Sequence, residues 1–502
     1  MKAWLARLPL RPLLVALLAG LALPFAFAPF GLFPLAIVSP AILFWLWRQM
    51  SARQAFFSGY LFGVGYFGLG ASWVAVSMYR FGGMGVALSL LSTVLFVLVL
   101  AAFPALVGWL YRRYFPGFSS SLRLLLVLPA LWGLLEWTRG WILTGFPWLA
   151  LGYSQTDSPL AGVAPLLGVY SIGWLLTLSA GLLVLAWQLP GRRWLPLVSL
   201  LGIWLLGSGL SQVEWSAPAG APLRASLIQG NVPQNLKWLP EQRQPTIDLY
   251  TRLSRQHWAD SDIVIWPETA LPAYYHQAER FLQGLAAEAA RHGSNLMLGL
   301  PVRPASAPDT YYNSVVAVTD PPQIYSKHHL VPFGEYIPLK WLLGNLLDIL
   351  QVPMADFSRG AAVQPPLEVA GQKIAVSICY EDAFGEEVIR ALPAATLLVN
   401  VSNDAWFGDS LAPHQHLQMA RMRSLETARP MFRATNNGIS ALIDHRGRVT
   451  ARSPQFEVFV LSGSLQPRSG ATPYVLGGNY PLLALLLSSL LLAVFLQRLK
   501  KH

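Results

Sequence analysis

Cys379 closes the apolar run Lys373-Ile-Ala-Val-Ser-Ile-Cys379 and is the single cysteine of the 502-residue chain. A lone thiol has no intrachain disulfide partner, so it stays available as a nucleophile even in an oxidising compartment. With an ordinary pKa of about 8.5 it is only a few per cent thiolate at neutral pH, so a nucleophilic cysteine needs a base or a positive neighbour. Glu268, just after Ile263-Val-Ile-Trp-Pro267, is the candidate base: a carboxylate in reach could take the thiol proton and return it to the departing group. Lys327 would supply a fixed positive charge for the thiolate and for a tetrahedral oxyanion, with the Tyr380 backbone N–H as a second donor. The same residue types also have structural readings. A cysteine in an apolar strand can be core, a glutamate after proline can cap a helix, and a loop lysine can form a surface pair. Glu335 and Glu381 either orient Lys327, tune Glu268 by like charge, or make a buried ion pair. Trp238 and Tyr380 fit aromatic packing as well as a site. His414 and His416 have no third ligand at a sensible spacing, so no metal and no cofactor are expected.

These residues must be held by a scaffold, and the texture between Ser216 and Gly470 describes one. Short Val/Ile/Leu-rich runs at Ala225–Val232, Asp262–Trp266, Asn295–Val302, Asn313–Val318, Lys373–Ile378, Leu397–Val401 and Ile439–Ile443 read as strands. They alternate with helical patterns such as Arg280–His292 and His416–Ala428, which is the signature of an α/β domain with a buried sheet. Glu268, Cys379 and the Asn403-Asp404 pair all fall just past strand ends, where open α/β sheets place ligands.

The remainder of the chain is a membrane protein by composition. Hydrophobic residues make up 54% and charged residues 12% of the sequence, and there are 19 Trp. Apolar stretches of about the length needed to cross a bilayer occur near Leu8–Ala28, Leu32–Trp47, Phe56–Met78, Met84–Tyr111, Leu122–Trp137, Leu160–Leu189, Trp194–Val213 and Tyr474–Leu496. The basic flanks alternate: Lys2, Arg7 and Arg11; Arg48 and Arg53; Arg112, Arg113 and Arg123; Arg192 and Arg193; then Arg498, Lys500 and Lys501. The other short loops hold only Arg80 and Arg139, and this asymmetry places both termini in the cytoplasm and the segment after the seventh span outside. Ala26-Phe-Ala28 resembles a signal cleavage site, but Pro29 directly after it argues against cleavage. Domain boundaries follow at 1–215, 216–470 and 471–502. The segment 216–470 carries 21 Lys and Arg against 22 Asp and Glu, leaving 15 basic and 3 acidic residues elsewhere. The excess charge therefore flanks the spans, and no nucleic-acid partner is expected.

Four ordered motifs carry a resemblance: Trp266-Pro-Glu268-Thr, Lys327-His-His-Leu-Val-Pro-Phe-Gly-Glu335-Tyr, Ile378-Cys379-Tyr-Glu381 and Asn403-Asp-Ala-Trp-Phe-Gly408. In that order they resemble the nitrilase (carbon–nitrogen hydrolase) superfamily. With seven spans before, one after, and Trp137-Thr-Arg-Gly-Trp-Ile-Leu-Thr-Gly-Phe-Pro-Trp148 between spans five and six, the whole chain resembles the apolipoprotein N-acyltransferase family of the bacterial inner membrane. The resemblance implies a polytopic α-helical membrane protein of about eight spans with an extracytoplasmic αββα nitrilase-like domain facing the periplasm. It implies a Glu268-Lys327-Cys379 triad, with site roles for Glu335, Tyr380, Glu381, Trp238 and Asn403. The expected partners are the membrane, a phospholipid acyl donor such as phosphatidylethanolamine, and a diacylated apolipoprotein acceptor, joined through a thioester intermediate. A membrane-tethered amidase or nitrilase cleaving a small C–N substrate is the enzymatic alternative, and a transporter or sensor with an inactive domain is the non-enzymatic one. Two further regions are candidate entrances. Lys340–Leu350 reads as an interfacial arm or as a buried helix, while Glu136 and Arg139 could pair with each other or meet a lipid headgroup.

Overall fold

The computed structural model of the chain describes residues 10–307, 309–337 and 356–500. The Lys340–Leu350 stretch and the flanking Lys2, Arg7 and Lys501 lie outside the described residues. The chain forms two compact units: residues 1–75, 87–213 and 477–502 make the first, and residues 76–86 with 214–476 make the second.

The first unit is helical because its apolar stretches contain almost no groups that compete with backbone hydrogen bonding. Among the described residues, four helices are long and apolar enough to cross a membrane: Val86–Tyr114, Ser120–Arg139, Pro159–Gln188 and Tyr480–Leu499. The pair Ala52–Gly70 and Trp73–Arg80 qualifies together but is bent by 52° at the break. Leu10–Ala26, Leu35–Trp47 and Trp194–Leu210 are shorter apolar helices. The apolar stretches of the sequence fall largely on these helices, but Phe56–Met78 is broken between Gly70 and Trp73, and Tyr474–Leu496 is broken between helices Pro473–Gly477 and Tyr480–Leu499. Small residues bring these helices close: a Cβ at Gly65 would stand 2.6 Å from the Leu17 carbonyl oxygen. The Glu136–Arg139 pair is buried at a separation of 4.0 Å. Arg139 donates to the Phe146 and Trp148 carbonyls at 2.6 and 2.7 Å, and Glu136 accepts from the Leu151 N–H at 3.0 Å. The two charges therefore brace the loop following the helix that carries them, which satisfies backbone groups that lipid could not.

Among the described residues of the second unit, fourteen strands form two six-stranded sheets and a short ribbon. The ribbon pairs β1 (Ala217–Pro218) with β14 (Arg468–Ser469). One sheet has the order β13-β2-β3-β4-β5-β6, where β2 is Leu223–Gln229, β3 Ile263–Ile265, β4 Asn295–Val302, β5 Tyr312–Ala317, β6 Gln323–Ser326 and β13 Phe459–Leu465. The other runs β12-β11-β10-β9-β8-β7, with β7 Leu367–Val369, β8 Gln372–Ile378, β9 Leu397–Ser402, β10 Met431–Thr435, β11 Ala441–Ile443 and β12 Val449–Arg452.

The period-two alternation of these strands builds the layers. Leu227, Ile265, Met297, Val315, Ile378, Val399, Val401 and Phe432 meet in one core between the sheets. The alternate residues Ile228, Val264, Leu296, Leu298 and Val316 face outward, against Tyr250, Leu282 and Leu285 of helices Pro240–Arg255 and Tyr275–Ala290. On the other sheet Ala375, Leu398, Met431, Ala441 and Ile443 pack on Leu417 and Ala420 of helix Ala412–Thr427. The result is the αββα sandwich. Burying a Phe or Leu side chain completely is worth about 1.5–3 kcal/mol, so the three clusters together make a rigid support. Residues 76–86 belong to this unit, with the Phe81 ring edge-on to Trp406 at 5.8 Å.

Candidate active site

The candidate base is delivered by β3. After Trp266, whose indole N–H donates to Ser254 Oγ at 2.8 Å, the chain passes Pro267 and leaves the sheet at Glu268. The turn lies so close to β4 that a Cβ at Gly299 would stand 2.5 Å from the Pro267 oxygen and 2.7 Å from Glu268 Cα. Only glycine fits there, because the obstruction is backbone. Glu268 is 7% exposed. Its Oε1 accepts from Asn313 Nδ2 at 2.7 Å and its Oε2 from the Asn403 backbone N–H at 2.9 Å.

Lys327 follows β6, fully buried. Its Nζ lies 2.9 Å from Glu335 and 3.5 Å from Glu268 Oε1. Asn313 Nδ2 donates to both acids, reaching Glu335 Oε1 at 2.9 Å, and Glu335 Oε2 accepts from the Val331 N–H at 2.8 Å. Burial alone would lower the Lys327 pKa, but Glu335, Glu268 and the neighbouring Cys379 outweigh it and hold the ammonium firmly protonated.

Cys379 stands at the end of β8, first in a tight turn over Cys379–Ala383, with φ of +51°. A non-glycine residue in this left-handed region carries strain of order 1–3 kcal/mol and persists only where its surroundings fix it. Burial pushes the thiol well above its usual value, Glu268 pushes it further, and Lys327 opposes them. The resting group is therefore the neutral thiol.

The remaining predicted residues fall into different places. Glu335 contacts Lys327 directly. Glu381 does not touch the ammonium: it accepts from the backbone N–H groups of His328 (2.7 Å), His329 (3.1 Å) and Ile378 (2.8 Å) and from Tyr325 OH (3.0 Å). It ties the chain just after Lys327 to the strand end that presents Cys379. Burial lifts Glu381 to about 7, against the lowering effect of Lys327 and the amides. Tyr380 is buried, its ring edge-on to Phe384 at 5.0 Å and to His329 at 5.7 Å. Asn403 bonds Glu268 through its backbone, Gln234 through Nδ2 at 2.6 Å, and Asn436 through Oδ1 at 3.1 Å. Trp238 is half-exposed, and among the described residues it is not a hydrogen-bond, ion-pair or ring partner of the triad.

Two residues near the base were not legible in the sequence. Asn313, the shared donor to both acids, lies in β5 and its sequence carries no signal beyond that of an ordinary strand residue. Lys237 is buried, donates to the Glu268 carbonyl at 3.3 Å and is lowered by burial to about 8, with Glu268 opposing. A lysine beside an exposed tryptophan in a polar loop carries no signal of burial. Among the described residues, no group of three or more His, Cys, Asp and Glu is arranged to hold a metal ion.

The αββα sandwich is that of a carbon–nitrogen hydrolase domain, and residues 224–474 match the carbon–nitrogen hydrolase family. Residues 19–182 match the apolipoprotein N-acyltransferase N-terminal domain. The chain is 52% identical over 482 residues to an apolipoprotein N-acyltransferase of Methylococcus capsulatus, covering 95% of this chain and 94% of that one. Those of Nitrosomonas europaea and Vibrio cholerae are 47% and 46% identical, covering 97% and 94% of this chain and 98% and 94% of theirs. The chain belongs to the apolipoprotein N-acyltransferase family, and it is an acyltransferase of the carbon–nitrogen hydrolase superfamily.

Proposed function

We propose that the protein completes lipoprotein maturation by ping-pong acyl transfer through Cys379. The carrying observation is the Lys327 ammonium bridging Glu268 and Glu335 beside a buried, strained cysteine thiol. As a phospholipid ester enters, the thiol proton passes to Glu268 while Sγ bonds to the ester carbonyl carbon. The oxyanion is held by Lys327 Nζ and the Tyr380 N–H, donors already fixed before the charge develops. The C–O bond to glycerol breaks, Glu268 returns the proton to that oxygen, and lysophospholipid leaves behind a thioester. The α-amine of a diacylglyceryl-modified N-terminal cysteine then attacks the thioester. Its proton goes to Glu268, the C–S bond breaks as Glu268 passes that proton to Sγ, and the thiol is restored as the N-acylated lipoprotein leaves.

Glu335 orients Lys327 in this scheme, Glu381 and Asn403 position the catalytic loops, and exposed Trp238 offers an apolar face to an acyl chain. Phosphatidylethanolamine is the proposed donor. Eight spans with both termini in the cytoplasm put the αββα domain on the periplasmic face of the inner membrane, where the alternating basic flanks support that orientation.

The test supplies purified protein with acyl-labelled phosphatidylethanolamine and a diacylated lipopeptide, and in parallel with small amides. Label moving to the peptide amine supports the proposal. Cleavage of the amides with no acyl transfer would replace it with the amidase.

A further inference from the structure

The catalytic reading leaves unexplained a second ionic cluster lying against the nucleophile's backbone. His416, Asp382, Asp404 and Arg433 are each at most 1% exposed. They come from helix Ala412–Thr427, from the turn after β8, from the turn after β9 and from β10. His416 Nδ1 lies 2.9 Å from Asp404 Oδ1 and its Nε2 3.0 Å from Asp382 Oδ1. Arg433 spans the same two acids at 2.9 and 3.2 Å and donates to Asn400 Oδ1 at 2.5 Å. Two cations and two anions close the cluster in charge.

What this cluster holds is the carbonyl oxygen of Cys379. His416 Nε2 is 3.2 Å from it and Asn400 Nδ2 is 3.4 Å from it. Burial and Arg433 lower His416, but Asp382 and Asp404 outweigh them and raise it to about 9, so both ring nitrogens are donors at neutral pH. The gripped carbonyl shares one peptide group with the Tyr380 N–H. Because that group is planar and trans, its C=O and N–H point in opposite directions, and fixing the oxygen fixes the donor.

We propose that His416 is a positioning residue for the oxyanion hole: through the Cys379 carbonyl it sets the direction of the Tyr380 N–H. The proposal rests on the acyl-transfer reading above. It predicts a role in forming the tetrahedral oxyanion and none in the nucleophilicity of the thiol.

Two variants separate the ring nitrogens. In His416→Gln the amide nitrogen takes the place of Nε2 and still reaches the Cys379 carbonyl; in His416→Asn it takes the place of Nδ1 and reaches only Asp404. Two rates are measured in each: single-turnover acylation of Cys379 by labelled phospholipid, and alkylation by iodoacetamide, a displacement that passes through no oxyanion. His416→Asn should slow acylation about 100-fold with alkylation within about twofold of the parent, and His416→Gln should recover acylation to within about tenfold, the scale of losing and restoring one oxyanion donor. Equal acylation in the two variants, acylation and alkylation falling together, or failure of both variants to accumulate would overturn it. A parent protein that alkylates but never acylates would instead sink the acyl-transfer reading itself.

Discussion

Cys379 stands between two ionic clusters that differ in charge balance. Around its thiol, one ammonium, Lys327, faces two carboxylates, Glu268 and Glu335. Against its backbone, Arg433 and His416 face Asp382 and Asp404, two against two. In the unbalanced cluster Lys327 sits nearer Glu335 (2.9 Å) than Glu268 (3.5 Å), and on the proposed mechanism Glu268 is the carboxylate that takes the thiol proton. The balanced one holds backbone in place. Reactivity and rigidity are thus assigned to separate groups of charges on either side of one residue.

Removing the thiol breaks the reactive side outright. Cys379→Ala should abolish the acyl-enzyme and lower transfer by at least about 10³-fold, measured as label reaching the peptide amine. Lys327→Met should lower the acylation rate by about 10²–10³, and Lys327→Arg should not restore it, because a planar fork does not replace a compact ammonium between two acids. Asn313→Ala removes one donor from both carboxylates. Hydrogen bonds to charged groups are worth about 1.5–3 kcal/mol, so acylation should fall roughly 10- to 100-fold in single-turnover assays.

The balanced cluster is sharpened by pH. His416 is held at about 9 against an ordinary 6.5. A raised histidine contributes stability that is complete below the unfolded value and lost as pH climbs through the folded one. Melting temperatures should therefore fall between pH 6.5 and 9, by the equivalent of roughly 3 kcal/mol, and His416→Gln should flatten that slope. Gly299→Ala, which drives a Cβ into the Glu268 turn, should cost about 1–3 kcal/mol and be visible as a smaller drop in melting temperature.

Of the unbalanced cluster and its thiol, Glu268 and Cys379 were legible as reactive types just past visible strands, β3 and β8, whereas Lys327 and Glu335 were legible only through the motif they share, because β6 ahead of Lys327 is not visible in the sequence. The strands of the scaffold were visible where they are long and apolar, as at Asn295–Val302, which matches β4 residue for residue. β6 and β7 escaped because they are short and carry polar residues, and β13 because Ser462, Gly463 and Ser464 dilute its apolar pattern. The balanced cluster was missed for a different reason. Arg433 lies mid-strand in Met431-Phe-Arg-Ala-Thr435, and an arginine buried in a strand requires acid partners; that requirement was the available signal. Which acids answer it depends on contacts between residues 29 and 51 positions apart, which no local spacing reveals. In the sequence His416 suggests at most a metal ligand, whereas its partners are two carboxylates and a peptide carbonyl.

The central claim, that a fatty acyl chain rests on Cys379 between the two half-reactions, is tested most directly by intact-protein mass spectrometry after incubation with phosphatidylethanolamine alone. The account predicts a mass increase of one acyl group, mapped to Cys379, released by hydroxylamine and lost on adding a diacylated lipopeptide. Transfer to the peptide with no such adduct, or with the adduct on another residue, would contradict it.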